Sequence, residues 1–333
     1  MILSVSRRTD IPAYYSDWFY NRIKEGFVLV RNPFNPGQLS RINLSPDVVD
    51  CIVFWTKNPA PMLERLEELK DYNYYFQFTL TGYGRDVETN LPDKREVLLP
   101  TFQKLAEVIG PERVVWRYDP ILFSERYTPE YHLKAFSKIA EALNGYTKRC
   151  VVSFLDMYPK IKKNMDSLGV VMPLEWAYEP MTNGTSGMGK AAQEFTLQDF
   201  AGELAKIARK NNMDIFSCAE KIELKNCGIS HSSCIDKALV EEVIGCRIDV
   251  KKDKNQRSEC GCVESIEVGT YNTCRNGCKY CYANHSPVSV EKNYAAYDPV
   301  SPILCGKITR EDKVTERVVK SLKVAQRSLF DNE

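Results

Sequence analysis

The chain has 333 residues, of which 44% are hydrophobic, and it carries 45 Lys and Arg against 44 Asp and Glu. This length can bury a large core, either as one α/β barrel or as two ordinary domains. The formal net charge of +1 argues against tight, sequence-independent binding to nucleic acid. The sequence shows neither a long apolar run nor a signal-peptide pattern, so we expect a cytoplasmic protein without a membrane partner.

Short apolar runs rich in β-branched and aromatic residues predict eight strands. In chain order they cover residues 2–6, 27–30, 51–55, 74–80, 113–118, 150–155, 214–217 and 265–269. Amphipathic patterns with helical spacing lie between them, at 61–70, 98–108, 129–143 and 197–210. This alternation predicts an α/β fold with a mainly parallel sheet, and the strand count favours a TIM-like (β/α) barrel.

Several predicted strands end in polar or charged residues. In parallel α/β proteins the carboxyl ends of the strands line the active site, although polar residues are also common wherever a strand leaves the core. We expect the pocket to be lined by Arg7, Arg8, Asp10, Lys57, Arg117 and Asp119.

Two segments are interpreted as insertions. Residues 176–194 are rich in glycine, and 184–190 match the G-x-x-x-x-G-K spacing of a phosphate-binding loop. Ala191 stands where that motif needs Ser or Thr, and no strand precedes it, so we interpret the segment as a flexible loop, with a lid as the alternative. The polar segment 247–257 is interpreted as a solvated linker.

The twelve cysteines are unevenly spread. Cys51 and Cys150 open apolar strands, and we expect both to be buried as small hydrophobic residues. The other ten lie between Cys218 and Cys305. In a reducing compartment this density indicates metal ligation rather than disulfides.

The strongest motif is CRNGCKYC, which places Cys274, Cys278 and Cys281 at C-x3-C-x2-C spacing with Tyr280 before the third cysteine. Three thiolates on one tight loop can ligate three irons of a [4Fe–4S] cluster and leave the fourth iron without a protein ligand. An open coordination position is what a catalytic metal site needs.

This motif resembles the signature of radical S-adenosylmethionine enzymes. The resemblance implies that the three cysteines hold the cluster and that Tyr280 covers the adenine side of S-adenosylmethionine. It also implies an electron donor such as flavodoxin or ferredoxin, and radical chemistry on a small-molecule substrate. The strand-end cations would then hold the cofactor carboxylate or an anionic substrate, and Asp10 or Asp119 the ribose hydroxyls.

A wider resemblance joins the opening SVSRRTDIPAYY to the late run QRSECGCVESIEVGTYNTCRNGCKYCYAN. Together they resemble DUF1848, a bacterial family of unknown function, over essentially the whole chain. Looser resemblances extend to radical enzymes of arsenic-containing natural products and to DNA-lesion lyases. None of these resemblances settles a substrate.

In most radical S-adenosylmethionine enzymes the cysteine loop follows the first barrel strand, whereas here it comes near the end of the chain. We therefore expect a permuted barrel in which strand 265–269 closes against the N-terminal strand. Residues 1–217 would form the barrel body. Residues 218–333 would form a cysteine-rich region that completes the barrel.

Upstream cysteines suggest a second metal site. We select Cys218, Cys234, Cys260 and Cys262 as ligands of an auxiliary Fe–S cluster or a zinc ion, with Cys227 and Cys246 as spares. Packing of free thiols is the simpler alternative. A zinc-stabilised binding module that uses the late cysteines is the main competitor to the radical enzyme.

The histidines show no metal or catalytic spacing. We expect His132 on the surface of a helix and His285 in a loop.

Overall fold

A computed structural model describes residues 1–171, 196–257 and 259–324. Eight strands form one sheet, in which each neighbouring pair is parallel. In chain order they are β1 (Ile2–Val5), β4 (Cys51–Thr56), β5 (Tyr74–Thr79), β6 (Val114–Ile121), β7 (Arg149–Phe154), β8 (Asp214–Cys218), β9 (Ser230–Ser232) and β10 (Ile266–Glu267). Across the sheet the order is β10-β1-β4-β5-β6-β7-β8-β9. A smaller sheet contains β2 (Phe27–Arg31), β3 (Gln38–Asn43) and β11 (Lys313–Glu316).

The late strand β10 lies beside the first strand of the chain. Leu3 pairs with Ile266 and Ser4 with Glu267, so the predicted contact between 265–269 and the N-terminal strand is confirmed. β9 and β10 form the two edges, and within the described ranges no pairing closes the sheet between them. The fold is therefore α/β with an eight-stranded parallel sheet.

Eight α-helices are described: α1 (Ile11–Tyr14), α2 (Ser16–Glu25), α3 (Leu99–Ile109), α4 (Pro129–Leu143), α5 (Lys162–Ser167), α6 (Leu197–Lys210), α7 (Lys237–Ile244) and α8 (Pro287–Ala295). Local sequence sets the helix starts. The Thr128 side chain accepts a hydrogen bond from Tyr131 N, and Pro129 occupies the first turn of α4, where no backbone N–H is needed. Thr196 and Asp199 form a capping box on α6.

The longer helices pack on one face of the main sheet. There Trp116 on β6 stacks on Phe136 on α4, with ring centroids 4.7 Å apart, and both side chains are fully buried. The opposite face carries Val53, Tyr75 and Val115, which pack against Leu239 on α7 and against Cys262. The region after β8 thus covers the second face of the sheet.

Two expectations need correction. The run at 27–30 forms β2 of the smaller sheet, while β9, which has only three residues and no apolar pattern, supplies the eighth strand of the main sheet. The segment expected as an amphipathic helix at 61–70 forms a 3-10 helix at Ala60–Leu69, with Pro59 as N-cap and proline in the first turn. Residues after 217 contribute β9 and β10 to the main sheet, and β8 itself spans Asp214–Cys218.

The insertion proposed at 176–194 lies outside the described residues. Within the ranges given above, no helix is both long and apolar enough to cross a membrane.

Candidate metal centre

The three-cysteine loop follows β10 and lies against the carboxyl ends of neighbouring strands. Asn276, within the loop, donates from Nδ2 to Asp10 Oδ2 at 3.0 Å and accepts at Oδ1 from the Tyr14 hydroxyl at 2.8 Å. Its carbonyl oxygen accepts from Asn90 N at 3.1 Å. Asp10 follows β1 and Asn90 follows β5. One asparagine therefore ties the loop to two strand ends.

Asp10 anchors this end of the sheet. Its carboxylate is buried and accepts from Thr56 Oγ1 at 2.7 Å, Lys57 N at 2.8 Å and Ala13 N at 3.1 Å, besides Asn276. Burial raises the pKa of Asp10. The side chain caps α1 and holds β1 to β4, so in this conformation its oxygens are committed to protein donors.

A buried carboxylate, Glu88, lies beneath the loop. Lys57 Nζ is 2.8 Å from Glu88 Oε1 and 2.8 Å from the Tyr280 hydroxyl, which itself donates to Glu88. Lys94 Nζ and Thr81 Oγ1 donate to the other carboxylate oxygen. Burial alone would raise the pKa of Glu88, but the ammonium groups of Lys57 and Lys94 outweigh it and lower the pKa to about 2. Tyr280 is thus held by its hydroxyl in a charged network.

The thiols of Cys274, Cys278 and Cys281 are partly buried. Burial raises the pKa of each, and it raises that of Cys278 to about 12 although the Lys57 ammonium opposes it. A backbone hydrogen bond from Ala283 acts in the opposite direction on Cys281 and favours its thiolate. Metal binding would displace the thiol protons.

Gly277 is required by the shape of the loop. Its φ of +67° lies in the left-handed region, and a Cβ there would come within 2.9 Å of Asn90 Nδ2. A glycine meets both demands because it has no Cβ. The turn between the first two cysteines can therefore lie directly against the segment after β5.

The four upstream cysteines come together on the other side of the sheet end. Cys218 Sγ lies 2.8 Å from Cys234 Sγ, and Cys262 has hydrogen bonds with both Cys234 and Cys260. Arg117 Nη1 donates to Cys234 Sγ at 3.2 Å. Hydrogen bonds with Cys218 and Cys262, and then the Arg117 guanidinium, lower the pKa of Cys234. The hydrogen bond with Cys262 also lowers the pKa of Cys260, to about 6, so the contacts form a row of thiols in which Cys234 and Cys260 are the favoured thiolates.

In the part of the chain that the structure describes, no group of three or more His, Cys, Asp and Glu side chains could hold a metal ion as arranged here. The cysteine ligand sets therefore stay predictions. Cys227, expected as a spare, packs against the main core instead. Cys51 and Cys150 are fully buried in strands, as expected.

The remaining strand-end residues divide between the two cysteine groups. Arg117 Nε donates to Asp119 Oδ2 at 3.0 Å, and Ser153 also donates to Asp119. Arg7 lies 3.7 Å from Glu267 and within electrostatic range of Cys262 and Cys234. Arg7, Arg117 and Asp119 thus lie near the upstream group, whereas Asp10 and Lys57 contact the three-cysteine loop, to which Tyr280 belongs. Arg8 lies 4.9 Å above the ring of Tyr271.

The structure corrects one expectation about a histidine and adds Glu88 and Asn276, two residues of the site that the sequence did not indicate. His132 is fully buried, between the Tyr118 hydroxyl at 2.9 Å and the Leu122 carbonyl at 2.8 Å, so the surface position expected for it is wrong. It faces the sheet because α4 turns that side of its amphipathic pattern inward. Glu220 follows β8, and burial raises its pKa to about 7. His285 is exposed in a loop, as expected.

The family model described as domain of unknown function (DUF1848) matches residues 2–283. The chain therefore belongs to this family, and the match includes every strand of the main sheet and the three-cysteine loop. No curated protein and no solved structure matches the chain.

Proposed function

We propose that the protein is a radical S-adenosylmethionine enzyme whose [4Fe–4S] cluster is held by Cys274, Cys278 and Cys281. One observation supports this most: the loop with this spacing follows a strand that pairs with β1, and it contacts Asp10 after β1 and Lys57 directly after β4. Parallel α/β enzymes bind their ligands at this end of the sheet. The finer fold we propose is a permuted, partly closed (β/α) barrel.

The residues present suit such a cluster. Three thiols stand on one turn, a backbone amide favours the thiolate of Cys281, and the Lys57 ammonium favours that of Cys278. The bound group would supply one electron to the sulfonium, which breaks a carbon–sulfur bond and releases methionine and a carbon radical. A protein such as flavodoxin or ferredoxin would replace that electron.

The chain's own side chains would position the cofactor. The Lys57–Glu88 pair holds the Tyr280 hydroxyl, so the ring beside Cys281 keeps a fixed orientation. Arg7 and Arg117, which are paired here with Glu267 and Asp119, would exchange these partners to bind a carboxylate or an anionic substrate, since guanidinium groups bind such oxygens in bidentate fashion. A small anionic molecule fits these charges better than duplex nucleic acid.

The upstream group is proposed as a second metal site, an auxiliary Fe–S cluster or zinc. The contact between Cys218 and Cys234, with Cys262 beside them, is the observation that favours it. The same observation supports the competing function, a zinc-stabilised binding module without redox chemistry. The two functions differ in whether the late loop binds iron and cleaves S-adenosylmethionine.

The test is anaerobic incubation of the reconstituted protein with S-adenosylmethionine and dithionite, with 5′-deoxyadenosine quantified. We expect formation by the wild type and loss in Cys278→Ala. Cys305→Ala is the matched control, because Cys305 is also partly buried and lies outside both groups. Formation that persists in Cys278→Ala, or that is absent from the iron-loaded wild type, would contradict the proposal.

A further inference from the structure

A cavity of about 330 Å³ lies on the helix side of the sheet, between α3, α4 and the segment after β5. We propose that it binds a small organic anion that has an aromatic or apolar body and a phosphate or carboxylate group. Its volume is within the range of small-molecule sites, which begins at about 300 Å³. This inference does not depend on the cysteine loop or on its cluster.

The floor of the cavity is apolar. Leu80, Leu99 and Ile139 line it, together with the ring of Tyr131. The Tyr131 hydroxyl donates to the Gly82 carbonyl at 2.6 Å, which fixes the ring against the strand end. An apolar floor with one oriented aromatic ring favours a ligand with a flat apolar body.

The rim of the cavity is cationic. Four lining side chains are basic, Lys94, Arg95, Lys134 and Lys138, and none of the described residues that line the cavity is acidic. Lys134 and Lys138 are exposed one helical turn apart on α4, where like charges repel each other. A bound anion would remove that repulsion and would form charge-assisted hydrogen bonds with the same groups.

The four cations do not play the same part. Lys94 Nζ donates to the Thr81 carbonyl at 2.9 Å, to the Tyr83 carbonyl at 2.6 Å and also to Glu88, so its ammonium is occupied by protein acceptors. Arg95, Lys134 and Lys138 therefore hold the anionic group, while Lys94 closes the inner wall. The concave shape and apolar floor fit a small molecule better than the surface of an acidic protein.

Isothermal titration calorimetry with 1-naphthyl phosphate tests this site. The wild type should bind this probe about ten-fold more tightly than neutral 1-naphthol or inorganic phosphate, because only the probe uses both floor and rim. Lys134→Glu/Lys138→Glu should weaken binding by about ten-fold or more. Lys206→Glu on α6 is the matched control, since Lys206 is an exposed helix lysine outside the cavity. This variant should bind 1-naphthyl phosphate with the same affinity as the wild type.

If the charge-reversed variant does not fold, Lys134→Ala/Lys138→Ala replaces it, because alanine is compatible with an exposed helix position. Weaker binding by this variant supports the site. Equal binding by a folded double variant and the wild type would overturn it, as would the absence of measurable binding by the wild type at about 1 mM probe. The absence of measurable binding is also the result expected if the basic rim only contacts an acidic protein.

Discussion

Glu88 offers the sharpest test of how the cysteine loop is held. Its buried carboxylate neutralises one of two partly buried ammonium groups, those of Lys57 and Lys94. The substitution Glu88→Gln keeps the shape and two hydrogen-bonding atoms but removes the charge. The folded state would then contain two partly buried cations, those of Lys57 and Lys94, both in contact with an uncharged amide. An uncompensated buried charge is strongly destabilising.

Two arguments give the expected decrease in the free energy of unfolding of Glu88→Gln. The pKa of Glu88 falls from 4.5 to about 2 on folding, which corresponds to about 3 kcal/mol in favour of the ionised folded form at neutral pH. Breaking a buried ion pair by removing one partner costs about 3–5 kcal/mol. We therefore expect Glu88→Gln to lower the free energy of unfolding by about 3 kcal/mol.

The assay is urea unfolding at pH 7, with a double-mutant cycle. Glu88→Gln/Lys94→Met restores the net charge of the network. Its free energy of unfolding should therefore fall by less than the sum of the decreases in Glu88→Gln and Lys94→Met, with a difference of about 1 kcal/mol or more. Glu107→Gln on α3 is the control; its exposed pair with Lys104 predicts a loss below about 1 kcal/mol. The prediction would be refuted if Glu88→Gln lost no more unfolding free energy than the control. It would also be refuted if the decrease in the double variant equalled the sum of the two single decreases.

Three further predictions follow from buried groups and from the backbone. Burial lowers the pKa of His132 from 6.5 to about 4, so the neutral ring stabilises the fold above pH 6.5 and this contribution is lost as the pH falls toward 4. Between pH 7 and pH 5 the free energy of unfolding in urea should fall by about 2 kcal/mol more in the wild type than in His132→Gln. Equal decreases in the two proteins would count against this prediction. Gly277→Ala should lower the free energy of unfolding by about 1–2 kcal/mol because of its positive φ. Gly202 lies within a helix with open space around it, so Gly202→Ala should raise the free energy of unfolding by about 0.5–1 kcal/mol. Thermal melts that rank the two variants in the reverse order would contradict this prediction. Phe136→Ala should lower the free energy of unfolding by about 3–5 kcal/mol in the same melts, because it removes the ring that stacks on Trp116. A decrease near zero would mean that the two rings are not closely packed.

Strands and helices with strong apolar patterns were predictable. Seven of the eight predicted strands belong to the main sheet, because buried parallel strands read as continuous apolar runs. β9 was missed since its three residues, Ser230–Ser232, are polar and pair at an edge. The smaller sheet was missed because β3 and β11 alternate with exposed polar residues and meet only through a contact between distant parts of the chain.

The candidate site was predictable in part. Cysteine spacing pointed to the loop, and strand-end position pointed to Asp10 and Lys57. Neither could reveal Glu88, which lies in a turn without periodicity and gains its partners only by tertiary contact. Asn276 was hidden for the same reason: its role as a tie depends on Asp10 being next to it in space, although 266 positions separate them in sequence.

The central claim is that the late cysteines hold an open-site cluster. The most direct measurement compares iron and sulfide content, and the low-temperature electron paramagnetic resonance spectrum of the reduced protein, between the wild type and Cys274→Ala/Cys278→Ala/Cys281→Ala after anaerobic reconstitution. We predict that the triple variant loses about four iron and four sulfide per chain, and that S-adenosylmethionine changes the spectrum of the wild type only. A wild type that carries stoichiometric zinc without iron, or a triple variant with the same iron content and the same response to S-adenosylmethionine, would contradict it.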